Sequence, residues 1–226
     1  MKPQYGLDLT SFSLEKLKSI FTSGNLLPSR RLLGETVEER FAVLRRMGIE
    51  NLQDIITALK TPKKVKDFCQ ASGLPEEYLI LLRRQANSYI PNPIALKDIP
   101  GVDPRHAQNL ADLGVRDTRQ LFERVCTRAG RANLQTESGI PARALLDLTH
   151  LADVSRAGWV GPVFARLLVE SGADHIEALT TSQPAALFER LVETNQRLQL
   201  TRAAFTQKDV AACIEYAREL PGRVEY

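Results

Sequence analysis

Cysteine is scarce: Cys69, Cys126 and Cys213 stand far apart and form no Cys-x-x-Cys pair. That spacing excludes a disulfide framework and a zinc knuckle. Each is expected to fill a helix core position instead, where a free thiol behaves as a small hydrophobe. Long apolar runs are missing too. Nothing approaches the roughly 18 apolar residues of a spanning helix. The opening "MKPQYGLDLTSFSLEKLKSIF" has no uninterrupted apolar stretch of the signal-peptide kind, so a cytoplasmic location is expected. His106, His150 and His175 are isolated in sequence, without metal-ligand spacing, and structural or solvent-facing roles are expected of them. There is no Gly-x-Ser-x-Gly, P-loop, dinucleotide fingerprint or His-Glu-x-x-His. A non-enzyme without metal or cofactor is the expectation.

What is present describes a globular protein. The 226 residues allow one large or two ordinary domains, and 43% hydrophobic with 25% charged residues is an ordinary balance. The net charge of +3 is too small to demand a polyanionic partner. Its distribution is uneven: residues 1–152 carry 22 basic and 17 acidic side chains, and residues 153–226 carry 8 and 10. A nucleic-acid face, if there is one, belongs to the first two-thirds.

The chain also resembles itself. "ERFAVLRRMGIENLQDIITAL" (39–59) and "RHAQNLADLGVRDTRQLFERV" (105–125) share a frame of 66 residues, pairing Gly48 with Gly114, Leu44 with Leu110 and Ile55 with Leu121. The offset continues through "SGLPEEYLILL" and "SGIPARALLDL", with Gly73/Gly139 and Pro75/Pro141. A divergent third copy follows, "GWVGPVFARLLVESGADHIEAL" (158–179), whose second half comes late as "FTQKDVAACIEYAREL" (205–220). The N-terminal "TSFSLEKLKSIF" resembles an isolated second half. Apolar residues at i, i+3, i+4 and i+7 predict short amphipathic helices. Gly48, Gly114 and Gly172 sit where a helix ends in a left-handed residue. Asn51, Asp117 and Asp174 are the expected N-caps of the helices that follow. No stretch alternates with period two. The expected class is all-α, built of tandem repeats of short helices. The expected divisions are an N-terminal helical extension (1–29) and units at 30–92, 93–154 and 155–226.

The stretch "LKDIPGVDPRHAQNLADLGV" (96–115) resembles the helix-hairpin-helix motif, with Ile99, Pro100, Gly101, Val102, Asp103, Pro104, Ala107, Leu110 and Gly114 as its signature. The third copy keeps Val160, Gly161, Pro162, Ala165, Leu168 and Gly172. Over about residues 30–220 the pattern is similar to an uncharacterised bacterial family, domain of unknown function 4332. What the motif resemblance implies is phosphate binding: hairpin amides and a helix N-terminus converge on one DNA phosphate, without regard to base sequence.

The copies depart from that pattern. Asp103 stands where a second hairpin glycine belongs, and Arg105 partly offsets its charge. The first hairpin carries Glu35, Glu38 and Glu39, and the third has Val163 in place of a cation. Gly101, Val102 and Arg105 are therefore the expected phosphate site, with Lys97 adding attraction. Arg124, Arg128 and Arg131 read as one face of a single helix, a basic stripe or a solvated one. Lys60, Lys63, Lys64 and Lys66 read as a solvated loop or as a landing site for a nucleic-acid backbone. Arg30–Arg31, Arg45–Arg46 and Arg83–Arg84 are expected in surface salt bridges. Trp159, the single tryptophan, packs on its own unit or stacks on a partner. Two functions remain open: sequence-independent binding of DNA or structured nucleic acid through hairpin amides left unpaired, or a protein-interaction scaffold that keeps the motif's shape without its anion chemistry.

Overall fold

The computed structural model describes residues 3–23, 28–221 and 224–226, and these are all-α, with thirteen α-helices, two short 3-10 segments and no strand beyond isolated bridges. The chain divides into two compact units. One is Leu7–Ile90; the other takes Pro91–Tyr226 together with the N-terminal residues up to Gly6.

In the Leu7–Ile90 unit, α1 (Leu14–Thr22) and a 3-10 segment (Pro28–Gly34) precede α2 (Val37–Arg46), α3 (Leu52–Ala58), α4 (Pro62–Ser72) and α5 (Glu76–Asn87). Helix α2 turns Val37, Phe41 and Leu44 inward, a spacing of four and three residues. Phe21 meets Phe41 edge-on at 5.6 Å in this core. In the second unit, α6 (Pro104–Asp112), α7 (Thr118–Val125), α8 (Arg128–Ser138) and α9 (Ala142–Val154) are followed by α10 (Pro162–Glu170), α11 (Ile176–Thr181), α12 (Pro184–Leu198) and α13 (Gln207–Ala217). Their apolar faces share one core from Tyr5 to Val224. A fully buried leucine contributes roughly 1.5–3 kcal/mol, so the short helices are held by packing rather than by propensity.

Local chemistry sets where each helix begins and ends. Gly48, Gly114 and Gly172 adopt φ of 77°, 80° and 82°. After each, an N–H reaches back into the finished helix, as Ile49 does to Leu44 O and Val115 to Leu110 O. Asn51 and Asp117 cap α3 and α7 through their side chains, as expected. Asp174 does not cap α11. His175 holds that position, while Asp174 turns to His150 and His175, and the Ile176 amide is satisfied by Asp153.

Two more expectations change. The arginine stripe is not on one helix: Arg124 lies on α7, whereas Arg128 and Arg131 lie on α8. The break comes from Thr127, whose hydroxyl accepts the Gly130 N–H and opens a new helix. Of the cysteines, Cys213 is buried, but Cys69 and Cys126 are only partly so. Burial pushes the Cys213 thiol up to about 12, which keeps it unreactive.

The start of "TSFSLEKLKSIF" plays a part its sequence did not suggest. Leu14 N–H donates to Glu50 O and Leu52 N–H to Phe12 O. Leu96 and Thr118 make the same two bonds, to Arg116 O and Ile94 O. Phe12–Leu14 thus clips the start of α3 as Ile94–Leu96 clips that of α7.

Candidate interaction site

The hairpin before α6 is closed by its own atoms. Gly101 takes φ of 78°, and Val102 N–H donates to Ile99 O at 3.3 Å. Asp103 is the N-cap of α6, its carboxylate accepting the Arg105 N–H at 2.8 Å. A side-chain carboxylate therefore sits where a phosphate oxygen would bind. The hairpin's carbonyl side is engaged as well. Arg166 of α10 donates through Nε to Pro100 O at 2.8 Å while its guanidinium grips Asp147 at 2.8 and 3.0 Å. An added Cβ on Gly101 would lie 3.5 Å from that Arg166 Nε. The hairpin works as a brace for a buried arginine.

The basic residues expected around the hairpin divide into two groups. Lys97 and Arg105 are exposed beside it. The arginines are spoken for: Arg124 forms a two-pronged pair with Glu137, at 2.8 and 3.0 Å. Arg128 donates to Tyr226 O, and Arg131 to Val125 O and Glu225 O. Arg128 and Arg131 hold the segment Val224–Tyr226, and the charge of Arg124 is met by Glu137.

In the Leu7–Ile90 unit the balance differs. Thr61 caps α4, so Lys63, Lys64 and Lys66 belong to a helix rather than a loop, with Lys60 just ahead. Lys64 donates to Thr57 O at 3.1 Å. The first turn of α4 carries no acidic residue, although the positive end of a helix dipole favours one. Among the described residues, Lys60, Lys63 and Lys66 meet no carboxylate within ion-pair distance, and neither do Arg83 and Arg84, against the expectation of salt bridges there. Arg45 does make one, to Glu15, and Arg30 donates to Gln85. Between α4 and α5 runs an open groove whose lining includes Pro62, Val65, Ile80, Arg83, Arg84 and Asn87.

Two further clusters were invisible in the sequence. His150 and His175, 25 positions apart, meet through Asp174, at 3.2 and 2.7 Å. Tyr226 places its ring 5.0 Å from each. Burial, opposed by Asp174, holds His150 below its usual pKa. No group of three or more potential ligands is placed to hold a metal among the described residues. His106 stands alone on α6. The second cluster surrounds Arg156, fully buried, which donates to Asp153 at 2.8 Å, to Tyr5 O at 3.1 Å and to Pro221 O, and lies over the Phe122 ring.

Trp159 combines the sequence's two alternatives. It packs edge-on against Tyr216 at 5.7 Å yet remains 53% exposed. Its φ is 63°, at the position that Gly101 fills in the hairpin before α6; a bulky side chain there is strained.

A family profile described as a domain of unknown function (DUF4332) matches residues 100–220, more than half of the chain. No curated protein and no solved structure matches it. No helix among the described residues is long and apolar enough to cross a membrane.

Proposed function

The chain belongs to the DUF4332 family, and from that premise we propose that it is a non-enzymatic interaction scaffold, one that keeps helix-hairpin-helix-like turns as structural joints and binds partner proteins. One observation carries this reading: the Val102 and Arg105 amides of the middle hairpin are already bonded, to Ile99 O and to the Asp103 carboxylate. A turn with these two donors taken, and an anion in the anion's place, supports packing rather than phosphate recognition. The exposed apolar residues Ile80, Leu113, Leu146 and Trp159 add surface of the kind that partners bury.

Two measurements test the proposal. Arg105→Glu should leave the anisotropy of a labelled DNA duplex unchanged at low and at physiological salt. Partners captured from lysate should survive nuclease treatment. Duplex binding that weakens with Arg105→Glu for every sequence, and falls steeply with salt, would overturn it.

A second reading has its own support. Lys60, Lys63 and Lys66, unpaired at the positive end of α4, suit a nucleic-acid backbone. On that reading Lys63→Glu with Lys66→Glu abolishes duplex binding, and Arg105→Glu does not.

A further inference from the structure

Helices α4 and α5 have counterparts 66 residues on. Thr61 and Thr127 cap α4 and α8, left-handed Gly73 and Gly139 end them, and Pro75 and Pro141 open α5 and α9. One difference stands out. On α8 and α9 an extended piece of chain is seated. Glu225 N–H donates to Cys126 O at 2.9 Å, and the Glu225 carboxylate accepts the Arg128 N–H at 3.3 Å. The main-chain oxygens of Glu225 and Tyr226 accept from Arg131 and Arg128. The Tyr226 ring lies against His150, and its hydroxyl donates to Asp153 at 3.1 Å.

The four side chains Arg128, Arg131, His150 and Asp153 correspond, 66 residues earlier, to Pro62, Val65, Arg84 and Asn87. All four of these line the groove between α4 and α5. Ile80 on its wall is 37% exposed, and Leu146, its counterpart, is 40% exposed. The groove has the position of an occupied peptide site.

We infer that the groove between α4 and α5 is the docking site for an extended acidic segment of a partner protein that carries one aromatic side chain. The inference rests on the scaffold reading and names the partner's chemistry. The substitutions set the preference. Arg84, replacing His150, offers an aromatic ring a guanidinium face. Asn87, replacing Asp153, can accept a phenol proton. Pro62 has no N–H to replace that of Arg128, so the acidic group passes to Lys63, beside it at the positive end of α4. Arg83, Arg84, Lys60, Lys63 and Lys66 outnumber Glu76, the one carboxylate in the lining, with Asp67 and Glu77 elsewhere on the same helices. The exposed apolar side chains of Pro62 and Ile80, over the buried Val65, decide against a nucleic-acid backbone, which has nothing to bury there. The chain's own segment Val224–Tyr226 is committed to α8 and α9.

The test titrates the intact protein with a fluorescein-labelled peptide, Glu-Glu-Leu-Glu-Val-Glu-Tyr, followed by anisotropy and by amide chemical shifts. Binding is expected, with shifts on α4 and α5. Replacing the peptide's tyrosine by alanine, Lys63→Glu with Arg84→Glu, or Ile80→Ser should each weaken it by about tenfold, the scale of one well-placed contact, while the helical circular dichroism stays unchanged. Absence of binding, shifts confined to α8 and α9, indifference to Ile80→Ser, or displacement of the peptide by a DNA duplex would each overturn the inference. Capture from nuclease-treated lysate separates the two levels. Partners retained by the Lys63→Glu, Arg84→Glu variant leave the scaffold standing without this groove; partners lost to nuclease alone remove the scaffold itself.

Discussion

Tyr78 is fully buried on α5, and its hydroxyl finds no hydrogen-bond partner among the described residues. The ring beneath it is useful, because Arg40 lies 4.5 Å over its centre. Tyr78→Phe keeps that contact and removes an unsatisfied polar atom, so a gain of about 1 kcal/mol is expected in urea unfolding. Arg156 is the opposite case. Its charge is balanced within the core by Asp153, itself only 2% exposed. Arg156→Met strands that carboxylate and should cost about 3–5 kcal/mol, with Asp153→Asn in the same chain restoring part of the loss. Neither residue drew attention in the sequence. A tyrosine on an apolar helix face looks like any core residue. An arginine after α9 looks like surface until Tyr5 O and Pro221 O, from distant parts of the chain, are found to accept from it.

The helices were more legible than their partners. Glycine and proline punctuation located the turns at Gly48, Gly114 and Gly172 because backbone conformation is a local property. The false single helix through Arg124, Arg128 and Arg131 arose from reading a charge period across Thr127, whose capping role is equally local but was outweighed. Side-chain pairing is not local, and the engagement of Arg128 and Arg131 by Glu225 and Tyr226 could not be read from spacing. The junction of α7 and α8 offers a test at this scale. A Cβ on Gly130 would stand 2.3 Å from Arg124 O. Gly130→Ala must push α8 away from the end of α7, and a loss of about 1–3 kcal/mol is expected by chemical denaturation. Lys64, 66 residues earlier on α4, carries a side chain after its own threonine cap, so a threonine-capped helix does not itself require the glycine.

For the whole molecule, acid sensitivity has an identifiable source. His150 is held below its ordinary value of 6.5, first by burial and also by His175, with Asp174, Asp147 and Asp153 opposing. As pH falls through 6.5 the unfolded chain takes up a proton that the folded chain resists. Stability therefore declines with falling pH until the folded-state value is passed. A Tm series from about pH 7.5 to 5.5 should slope downward, and His150→Gln should flatten it.

The arrangement around Arg156 also governs the order in which the protein can be made. A ribosome releases Tyr5 well before Pro221, 216 positions further on, and this one guanidinium bonds both carbonyls. The residues of Leu7–Ile90 have all emerged long before that, so this unit can be complete while synthesis continues. The unit around Arg156 is not complete until Pro221 has emerged. Until then the guanidinium has Asp153, Tyr5 O and the Phe122 face, with water in the place of Pro221 O.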